Sequence, residues 1–477
     1  MLKKIPHTYT IIFSIILLCA VLSWIIPAGE YSRHTVEVNG TTRSVIVDNS
    51  YHAVESAPQT WQVFSSLLQG FEKQAGIIAF LLIIGGAFQI MNNSRAIDVG
   101  IFSFLRFTQG LERHRFMKRI GVNNLVIAMI IFLFSMFGAV FGMSEETLAF
   151  VIIIVPLAIS MGYDSITGLC MVYVAAHVGF AGAILNPFTI GIAQGLSGLP
   201  LFSGFEYRLF CWFLLTVILV ACVLIYAARV KRNPTLSPMY RADEYWRNRR
   251  TESGEEVAYT IPVASYIVYG LILVSLVIFL VIGVMGHGWY LPEISAIFLA
   301  MGVLTGYAAG KDTDSIIKLF LEGAKDILSA AIVVGLAGGI IQILQDGRII
   351  DPILHALASL MNEAGRVASV GAMYVIQTLI NIIIPSGSAK AALTMPIMAP
   401  FSDVIGISRQ ATVMAFQFGD GFTNMITPTS AVLIGALGIA RIPYEVWVKW
   451  FAKILLLFVV LGFLLLIPTV VMQLPGF

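Results

Sequence analysis

The sequence predicts an all-α, polytopic membrane protein made of two inverted-topology repeats, each with a re-entrant hairpin and a broken helix. Of its 477 residues, 58% are hydrophobic and only 12% are charged, whereas soluble proteins carry about 25% charged residues. Many apolar runs reach the roughly 20 residues that cross a bilayer. The third observation is an internal repeat, because a stretch that begins near residue 60 recurs without gaps near residue 313.

The first 60 residues predict one transmembrane helix and one extracytoplasmic segment. Residues 1–28 hold two lysines and then an apolar run from Tyr9 to Ile26, which is too long for a cleaved signal peptide. We expect this helix to start in the cytoplasm. Residues 29–60 are polar, and Asn39-Gly40 lies between alternating residues, which predicts a small β-hairpin.

The first repeat is expected over residues 61–230. It opens with an amphipathic, interfacial stretch from Trp61 to Gln69 and an apolar span from Ile77 to Met91. The loop from Arg106 to Arg119 has five basic residues against one acid, and we therefore expect it in the cytoplasm. A further span follows from Ile120 to Gly142.

Two interruptions divide the rest of this repeat. After Gly142–Thr147 the apolar run Leu148–Ile159 has only 12 residues, which suits a re-entrant half-helix better than a full span. The next span, Ile166–Ile184, ends at a second break, Asn186-Pro187. A span from Phe205 to Val230 closes the repeat.

A basic linker joins the two halves. Residues 231–260 are polar and rich in arginine, so they predict a cytoplasmic linker rather than a domain. Two linking transmembrane helices are expected within 261–312, and the second repeat fills 313–477. One span leads from the cytoplasmic N-terminus to the first repeat, which should therefore begin outside. Two spans lead from the cytoplasmic linker to the second repeat, which should therefore begin inside, so the halves should enter the membrane from opposite sides. Inverted repeats with broken helices are typical of secondary transporters.

The two repeats match at defined positions. Six residues recur 253 positions later and three more recur 244 positions later. The first set is Gly70, Gly86, Gln89, Arg95, Ile97 and Asp98, and the second set is Ser144, Pro156 and Gly162. Six identities at one offset rarely arise by chance, so the pattern predicts a duplicated structure.

The candidate binding residues of the second half surround a break in the apolar sequence. Ser386, Gly387 and Ser388 precede a helix expected to begin near residue 389. The free N–H groups and the dipole at such a helix start favour an anion, for example a substrate carboxylate. Lys390 adds a positive charge in the first turn. The alternative is that Lys390 extends to a membrane interface.

The equivalent point of the first half carries acids. It reads Ser144, Glu145 and Glu146, and Glu146 aligns with Lys390. Opposite charges at equivalent points predict a midplane site that takes a cationic group and a carboxylate together. The alternative is that Glu146 and Lys390 form a structural salt bridge.

Polar groups at the second pair of breaks predict a further part of the site. They belong to Asn186, Asn424, Thr427 and Thr429. Such oxygens, with freed carbonyls, suit Na⁺ as well as substrate, and we expect Na⁺ near Ser144, Asn186, Ser388 and Thr427. The alternative is plain capping of kinked helices. Asp420 lies between two glycines and is a candidate cation or proton site.

Other classes of protein lack support in the sequence. No GxSG, HExxH or GxGD context accompanies Ser144, His177 or Asp420, which argues against an intramembrane hydrolase. A passive channel would not need this many charges in apolar sequence. No basic domain suggests nucleic acid, and the four cysteines lack metal-ligand spacing. We expect no enzyme activity and no cofactor.

Three motifs resemble a known family. They are AALTMPIMAP at 391–400, FQFGDG at 416–421 and ITPTS at 426–430. These segments look like the YfcC-type carriers of the C4-dicarboxylate anaerobic carrier family, within the wider ion transporter superfamily. The likeness covers nearly the whole chain. It implies a multi-pass carrier of the bacterial cytoplasmic (inner) membrane, with two re-entrant hairpins, elevator-type movement and a homodimer in the lipid bilayer.

The resemblance leaves two substrate classes, which are C4-dicarboxylates and basic amino acids of the arginine/ornithine type. Lys390 is the one clearly basic candidate, whereas Glu145, Glu146 and Asp420 give an acidic surplus. We therefore expect an antiporter or ion-coupled carrier of a basic amino acid, with Na⁺ or H⁺ as the coupling ion. A C4-dicarboxylate carrier is the alternative.

Overall fold

The computed structural model describes residues 8–38, 41–46, 50–95, 122–144, 146–249, 291–361 and 365–477, with parts of 268–289. Within these ranges the chain is mostly helical, and eight candidate spans are long and apolar enough to cross a membrane. The predicted basic loop, Glu145 and much of the first linking helix lie outside the described residues.

The N-terminal segment contains one helix and two small pairs of strands. Helix α1 spans Thr8–Leu22. Strand β1 (Gly29–Glu30) pairs antiparallel with β4 (His52–Ala53), and β2 (Arg33–Val38) pairs antiparallel with β3 (Thr41–Ile46). The last residue of β2 faces the first residue of β3, so the strands of the predicted hairpin are confirmed, while its two turn residues lie outside the described part of the chain.

The described helices of the first half follow the predicted order. They are α2 Gln62–Lys73, α3 Ala75–Ser94, α4 Val122–Phe141, α5 Thr147–Ser160, α6 Ser165–Leu169, α7 Ala175–Gly182, α8 Ile192–Leu196 and α9 Phe205–Arg232. Two π-helical turns, Cys170–Val174 and Pro187–Gly191, join α6 to α7 and lead into α8. Helix α5 has 14 residues, which agrees with the short helix expected after the first interruption.

The described helices of the second half begin in the linker. They are α10 Glu244–Arg249, α11 Leu291–Ala308, α12 Thr313–Asp346, α13 Ile350–Met361, α14 Gly365–Ile383, α15 Gly387–Val404, α16 Arg409–Thr423, α17 Ala431–Ala440, α18 Tyr444–Leu466 and α19 Pro468–Val471. A short 3₁₀ turn, Pro234–Leu236, precedes α10.

The backbone of the two halves repeats as well as their sequence. Arg95 follows α3 and Arg348 lies just after α12, with φ values of 57° and 55°. Gly162 and Gly406 lie just after α5 and α15, with φ values of 87° and 65°. The packing is also reciprocal, because α8 lies against α15 while α17 lies against α5. Positions related by the sequence repeat therefore have matching turn conformations and matching helix contacts.

The long helical arms of the two halves cross each other closely. A Cβ atom on Gly70 of α2 would lie 2.3 Å from the backbone nitrogen of Gly339 in α12. Likewise, a Cβ on Gly323 of α12 would lie 2.3 Å from the backbone oxygen of Gly85 in α3. Only glycine permits such an approach of two helices. The apolar side chains of Trp61, Phe64 and Leu68 remain exposed, so α2 does not lie in the bundle centre.

Side chains satisfy the backbone where the helices are broken. Asn186 Oδ1 accepts a hydrogen bond from Phe188 N at 2.9 Å, and Ser430 Oγ accepts one from Leu433 N at 3.3 Å. The buried guanidinium of Arg208 donates to the carbonyl of Ala183 at 3.1 Å and to that of Phe202 at 2.8 Å. The apolar interior therefore tolerates these breaks, because protein groups replace the missing helical bonds.

The linker packs as a strap across both halves. We use "strap" for residues 233–249. Asp243 Oδ2 accepts a hydrogen bond from Ser165 N at the start of α6, at 2.9 Å. Trp246 Nε1 donates to Ala440 O at the end of α17, at 3.3 Å. The strap thus connects the first half to the second on one side of the molecule.

Candidate functional site

A lysine and an aspartate meet in the interior between α15 and α16. Lys390 lies in the first turn of α15, Asp420 lies near the end of α16, and both side chains are 0% exposed with Nζ 3.3 Å from Oδ1. Lys390 Nζ also donates to Phe416 O at 3.4 Å and lies 4.5 Å from the centroid of the Phe416 ring. Lys390 therefore neither extends to an interface nor pairs with Glu146, and both alternatives from the sequence are wrong.

The carboxylate of Asp420 belongs to a small amide network. Asn424 Nδ2 donates to Asp420 Oδ2 at 3.4 Å. Asn381, on the neighbouring helix α14, donates through Nδ2 to Asp420 O at 3.3 Å and to Asn424 Oδ1 at 2.9 Å. Tyr173 OH donates to Asn424 O at 2.9 Å, which ties the network to the first half.

The broken points of the two halves touch at glycines. A Cβ atom on Gly387, at the start of α15, would lie 2.6 Å from Thr189 Cγ2 and 3.0 Å from Asp420 Oδ2. A Cβ on Gly142, at the end of α4, would lie 2.5 Å from Asn186 Oδ1. The first-half break at Asn186–Thr189 therefore contacts both interruptions predicted from the sequence.

Glu146, in the first interruption, has local partners. Glu146 Oε2 accepts from Ser144 N at 3.2 Å, and Glu146 Oε1 accepts from Asn92 Nδ2 at 3.3 Å. Both Ser144 and Glu146 are half-buried. The structure does not bring Glu146 into an ion pair with Lys390, and Glu145 lies outside the described residues.

The remaining predicted residues lie at the helix breaks around the pair. Ser386 caps α15, because its Oγ accepts from Ala389 N at 3.4 Å, and Ser388 is half-buried in the first turn. Thr427 and Thr429 share a hydrogen bond at 2.9 Å between their hydroxyl oxygens. Thr429 Oγ1 also donates to Ile382 O at 2.8 Å, next to Asn381. These groups therefore contribute to capping as well as to the candidate site.

Several buried polar atoms near the Lys390–Asp420 pair have no hydrogen-bond partner. They are Asn186 Nδ2, Thr189 Oγ1, Gln377 Nε2, Asn381 Oδ1, Gln417 Oε1 and Asp420 Oδ1. A buried polar atom without a partner is uncommon and calls for a specific explanation. Two of these atoms lie on α16, two lie on the neighbouring α14, and two lie in the first-half break that contacts Gly387. Together they offer hydrogen-bond donors and acceptors to a polar ligand.

Sequence reasoning missed four of these residues, which are Thr189, Gln377, Asn381 and Gln417. Asn381 lies alone in the apolar end of α14, and Thr189 follows Pro187 by two positions. A single amide in an apolar helix was the available signal for Asn381. Thr189 gave no comparable signal, because its contact with Gly387 depends on the packing of one half against the other.

Comparison with known proteins gives the family of the chain. The family model described as "C4-dicarboxylate anaerobic carrier" matches residues 5–471. The chain is 34% identical, over 95% of its length and 94% of the relative's, to the Escherichia coli (strain K12) protein named "Putative basic amino acid antiporter YfcC". A Haemophilus influenzae protein with no assigned function is 27% identical over 98% of this chain and 97% of its own.

Two solved transporters share the fold. The Alcanivorax borkumensis YdaH transporter has a TM-score of 0.67 and 16% identity, covering 97% of each chain. Neisseria gonorrhoeae MtrF, whose structure is described for a class of antimetabolite efflux pumps, has a TM-score of 0.74 and 16% identity over 99% of this chain and 97% of MtrF. At this identity the likeness shows the fold alone. With the family match over nearly the whole chain, the protein is a multi-pass membrane transporter and not an enzyme, and it belongs to the C4-dicarboxylate anaerobic carrier family.

Proposed function

We propose that this chain is a secondary active transporter of a basic amino acid of the arginine/ornithine type, working as an antiporter or an ion-coupled carrier. The observation that carries the proposal is the fully buried Lys390–Asp420 pair at the meeting point of the broken helices. A charge near the bilayer centre costs roughly 2.5–3.5 kcal/mol on insertion scales. A site that keeps both signs there suits a solute that carries both signs.

The charges around the site favour an amino acid over a dicarboxylate. Among the described residues, Lys390 is the cation that pairs in this buried network, and Asp420 would repel a second carboxylate of the substrate. Glu146 lies at the equivalent interruption and adds negative charge near Gly142 and Asn186. The name of the Escherichia coli relative points to the same substrate class.

A C4-dicarboxylate is the second candidate substrate, and the description of the matching family supports it. In that case Lys390 and the start of α15 would bind one carboxylate, and the second would need a donor such as Asn186 Nδ2, which has no partner. A passive channel remains a different class of function, and a carrier differs from it by showing saturation and counterflow.

We propose that the two repeats have inverted topology. The close approaches support this, because Ser66 and Leu67 of α2 lie near Gly339 of α12, whereas Phe71 lies near the earlier residue Gly335. The arms therefore run in opposite directions where they cross. The equivalent residues Arg95 and Arg348 should then face opposite sides of the membrane.

A thiol-labelling experiment tests the inverted topology. Arg95→Cys and Arg348→Cys are matched variants, because both residues are exposed and end equivalent helices. A membrane-impermeant thiol reagent should label Arg348→Cys from outside and Arg95→Cys only after the membrane is opened. Labelling of both from the same side would contradict the inversion.

We further propose that the carrier works by elevator-type movement and forms a homodimer. We also propose that it lies in the bacterial cytoplasmic membrane with its N-terminus in the cytoplasm. The salt bridges Arg348–Glu30 at 3.4 Å and Arg33–Asp351 at 2.5 Å support the proposed orientation in the membrane. These bridges hold β1 and β2, which we predict to lie outside the membrane, next to the end of α12. Inversion of the repeats would put Arg348 on that same side.

The coupling ion is proposed to be Na⁺ or H⁺. For Na⁺, the proposed site is the region near Ser144, Asn186, Ser388 and Thr427. Support comes from Asn186, which is fully buried beside Gly142, and from Thr427, which is buried at the second break. Uptake into proteoliposomes with an imposed Na⁺ or H⁺ gradient separates the two ions.

A thermal-shift screen of the purified full-length protein tests the substrate class. Amino acids and dicarboxylates are compared with and without Na⁺. Arginine or ornithine should raise the unfolding midpoint, since a ligand that binds only the folded state stabilises it. Stabilisation by succinate or fumarate alone would replace the amino acid proposal with the dicarboxylate one.

A further inference from the structure

The buried lysine–aspartate pair carries the two charges that the head group of a free amino acid requires. We infer that Lys390 and Asp420 bind the α-carboxylate and the α-ammonium of the substrate, and that they close on each other in the empty carrier. This inference rests on the proposed function and deepens it. It assigns recognition to the head group of the amino acid rather than to the cationic side chain.

The Asp420 side of the pair offers spare hydrogen-bond acceptors. Asn381 Nδ2 donates to Asp420 O at 3.3 Å and to Asn424 Oδ1 at 2.9 Å, which fixes Asn381 Oδ1 as an acceptor. That Oδ1 has no partner, and Asp420 Oδ1 has its ion contact with Lys390 but no hydrogen bond. An ammonium group has three donors, so it can satisfy acceptors that the protein leaves open.

The Lys390 side of the pair offers donors and positive potential. Lys390 lies in the first turn of α15, where the helix dipole and the first N–H groups favour a carboxylate. Asn186 Nδ2 is a fully buried donor without a partner in the first-half break, whose Thr189 lies against Gly387 at the start of the same helix. The start of α15 therefore offers positive potential and donors, whereas Asp420 and Asn381 offer open acceptors.

Both sides of the site converge on Gly387. A Cβ atom there would come within 2.6 Å of Thr189 Cγ2 and 3.0 Å of Asp420 Oδ2. The start of α15, the first-half break and the carboxylate thus share one point. Thr189 Oγ1, also buried and without a partner, adds a hydroxyl at this junction.

Charge balance selects the ligand. An α-amino acid inserted between Lys390 and Asp420 replaces one ion pair by two, so neither buried charge is left alone. A dicarboxylate pairs Lys390 but places its second carboxylate towards Asp420. A diamine pairs Asp420 but leaves Lys390 without a partner. Leaving a buried charge unpaired is strongly unfavourable, and therefore only the zwitterionic head group satisfies the whole site.

A ligand series on the wild-type full-length protein tests the inference. Binding is measured calorimetrically for arginine, for agmatine, which lacks the carboxylate, and for Nα-acetylarginine, which lacks the α-ammonium. We expect each truncated ligand to bind at least tenfold more weakly than arginine. Affinities within twofold of arginine would overturn the head-group assignment while leaving a carrier of cationic solutes in place. Binding of succinate without any binding of arginine would instead overturn the proposed function.

Two variants assign each charge to its partner. Lys390→Gln should abolish the preference for arginine over agmatine, and Asp420→Asn should abolish the preference for arginine over Nα-acetylarginine. Asp403→Asn is the matched control, because it breaks a different ion pair, with Arg409 at 2.5 Å, and should leave both preferences unchanged. If a variant does not fold, the wild-type ligand series still decides the question.

Discussion

The interruptions of the two halves occupy equivalent places but differ in chemistry. In the first half, Glu146 is half-buried and is satisfied by Ser144 N and Asn92, both close to it. In the second half, Lys390 is fully buried and pairs with Asp420 on the next helix. The two halves therefore have similar helix breaks, and within the described residues, which omit Glu145, a buried charge pair is found at the second break.

The helix crossings behind the two interruptions show the same contrast. Between α4 and α7, a Cβ on Gly138 would lie 1.9 Å from Ala176 O, and one on Gly179 would lie 1.8 Å from Ser135 O. The helices there pack backbone against backbone. Between α14 and α16, a Cβ on Gly419 would lie 3.0 Å from Thr378 N, but Asn381 and Asp420 also occupy the contact and retain oxygens without a hydrogen bond. Both crossings are thus closely packed, and the second one also presents polar atoms.

The largest expected effect is on stability after the loss of one charge. Lys390→Ala should lower the free energy of unfolding by about 3–5 kcal/mol, because it leaves Asp420 buried and unpaired. Expression in the membrane should persist, while uptake should be lost. The double variant Lys390→Ala/Asp420→Ala should regain most of the stability without regaining uptake. Thermal unfolding of the purified variants measures the first part, and normal uptake by Lys390→Ala would remove it from the site.

The second effect concerns the junction at Gly387. Gly387→Ala should reduce arginine affinity about tenfold, equal to 1.4 kcal/mol, because the new methyl group would collide with Thr189 and Asp420. Gly438→Ala is the control, since a Cβ there meets nothing within 4 Å. Calorimetric titration of both variants checks this difference, and equal affinities would show that the contact does not shape the site.

The third effect tests whether the first interruption contributes to substrate choice. Glu146→Gln should weaken arginine or ornithine binding by several-fold and dicarboxylate binding much less, because it removes a negative charge near the first-half break. Stability should change by less than about 1 kcal/mol, as expected for a partly exposed group. Competition binding with the two ligand classes measures the ratio. Equal losses for both classes would argue against the basic amino acid assignment.

These contrasts also show what could be predicted from sequence. The short helices, the Ser386 cap, and the identities of Lys390 and Asp420 follow from local patterns of apolar runs, Gly, Pro and Ser. The partner of Lys390 could not be predicted from such patterns. Alignment of the repeats matches Lys390 with Glu146, whereas the packing of α15 on α16 brings Lys390 to Asp420. Thr189 reaches the site through contact between the halves, which no local pattern encodes.

A further expected effect lies outside the site, in the strap. Burial raises the pKa of Asp243 from 3.8 to about 6. The folded protein therefore holds this proton more tightly than the unfolded chain, so stability should rise as pH falls from 7 through 6 towards 4, by at most about 3 kcal/mol. Asp243→Asn should remove this contribution. Unfolding midpoints at pH 5 and pH 7 check it, and an identical pH dependence in both proteins would contradict it.

The most direct test of the account is exchange across a membrane. Proteoliposomes that contain the wild-type protein and unlabelled arginine should take up labelled arginine rapidly, and liposomes without internal arginine should take it up slowly. The Lys390→Ala/Asp420→Ala double variant, in which no buried charge is left unpaired, should show no exchange. Exchange at the wild-type rate by this variant would contradict the claim that the buried pair is the substrate site.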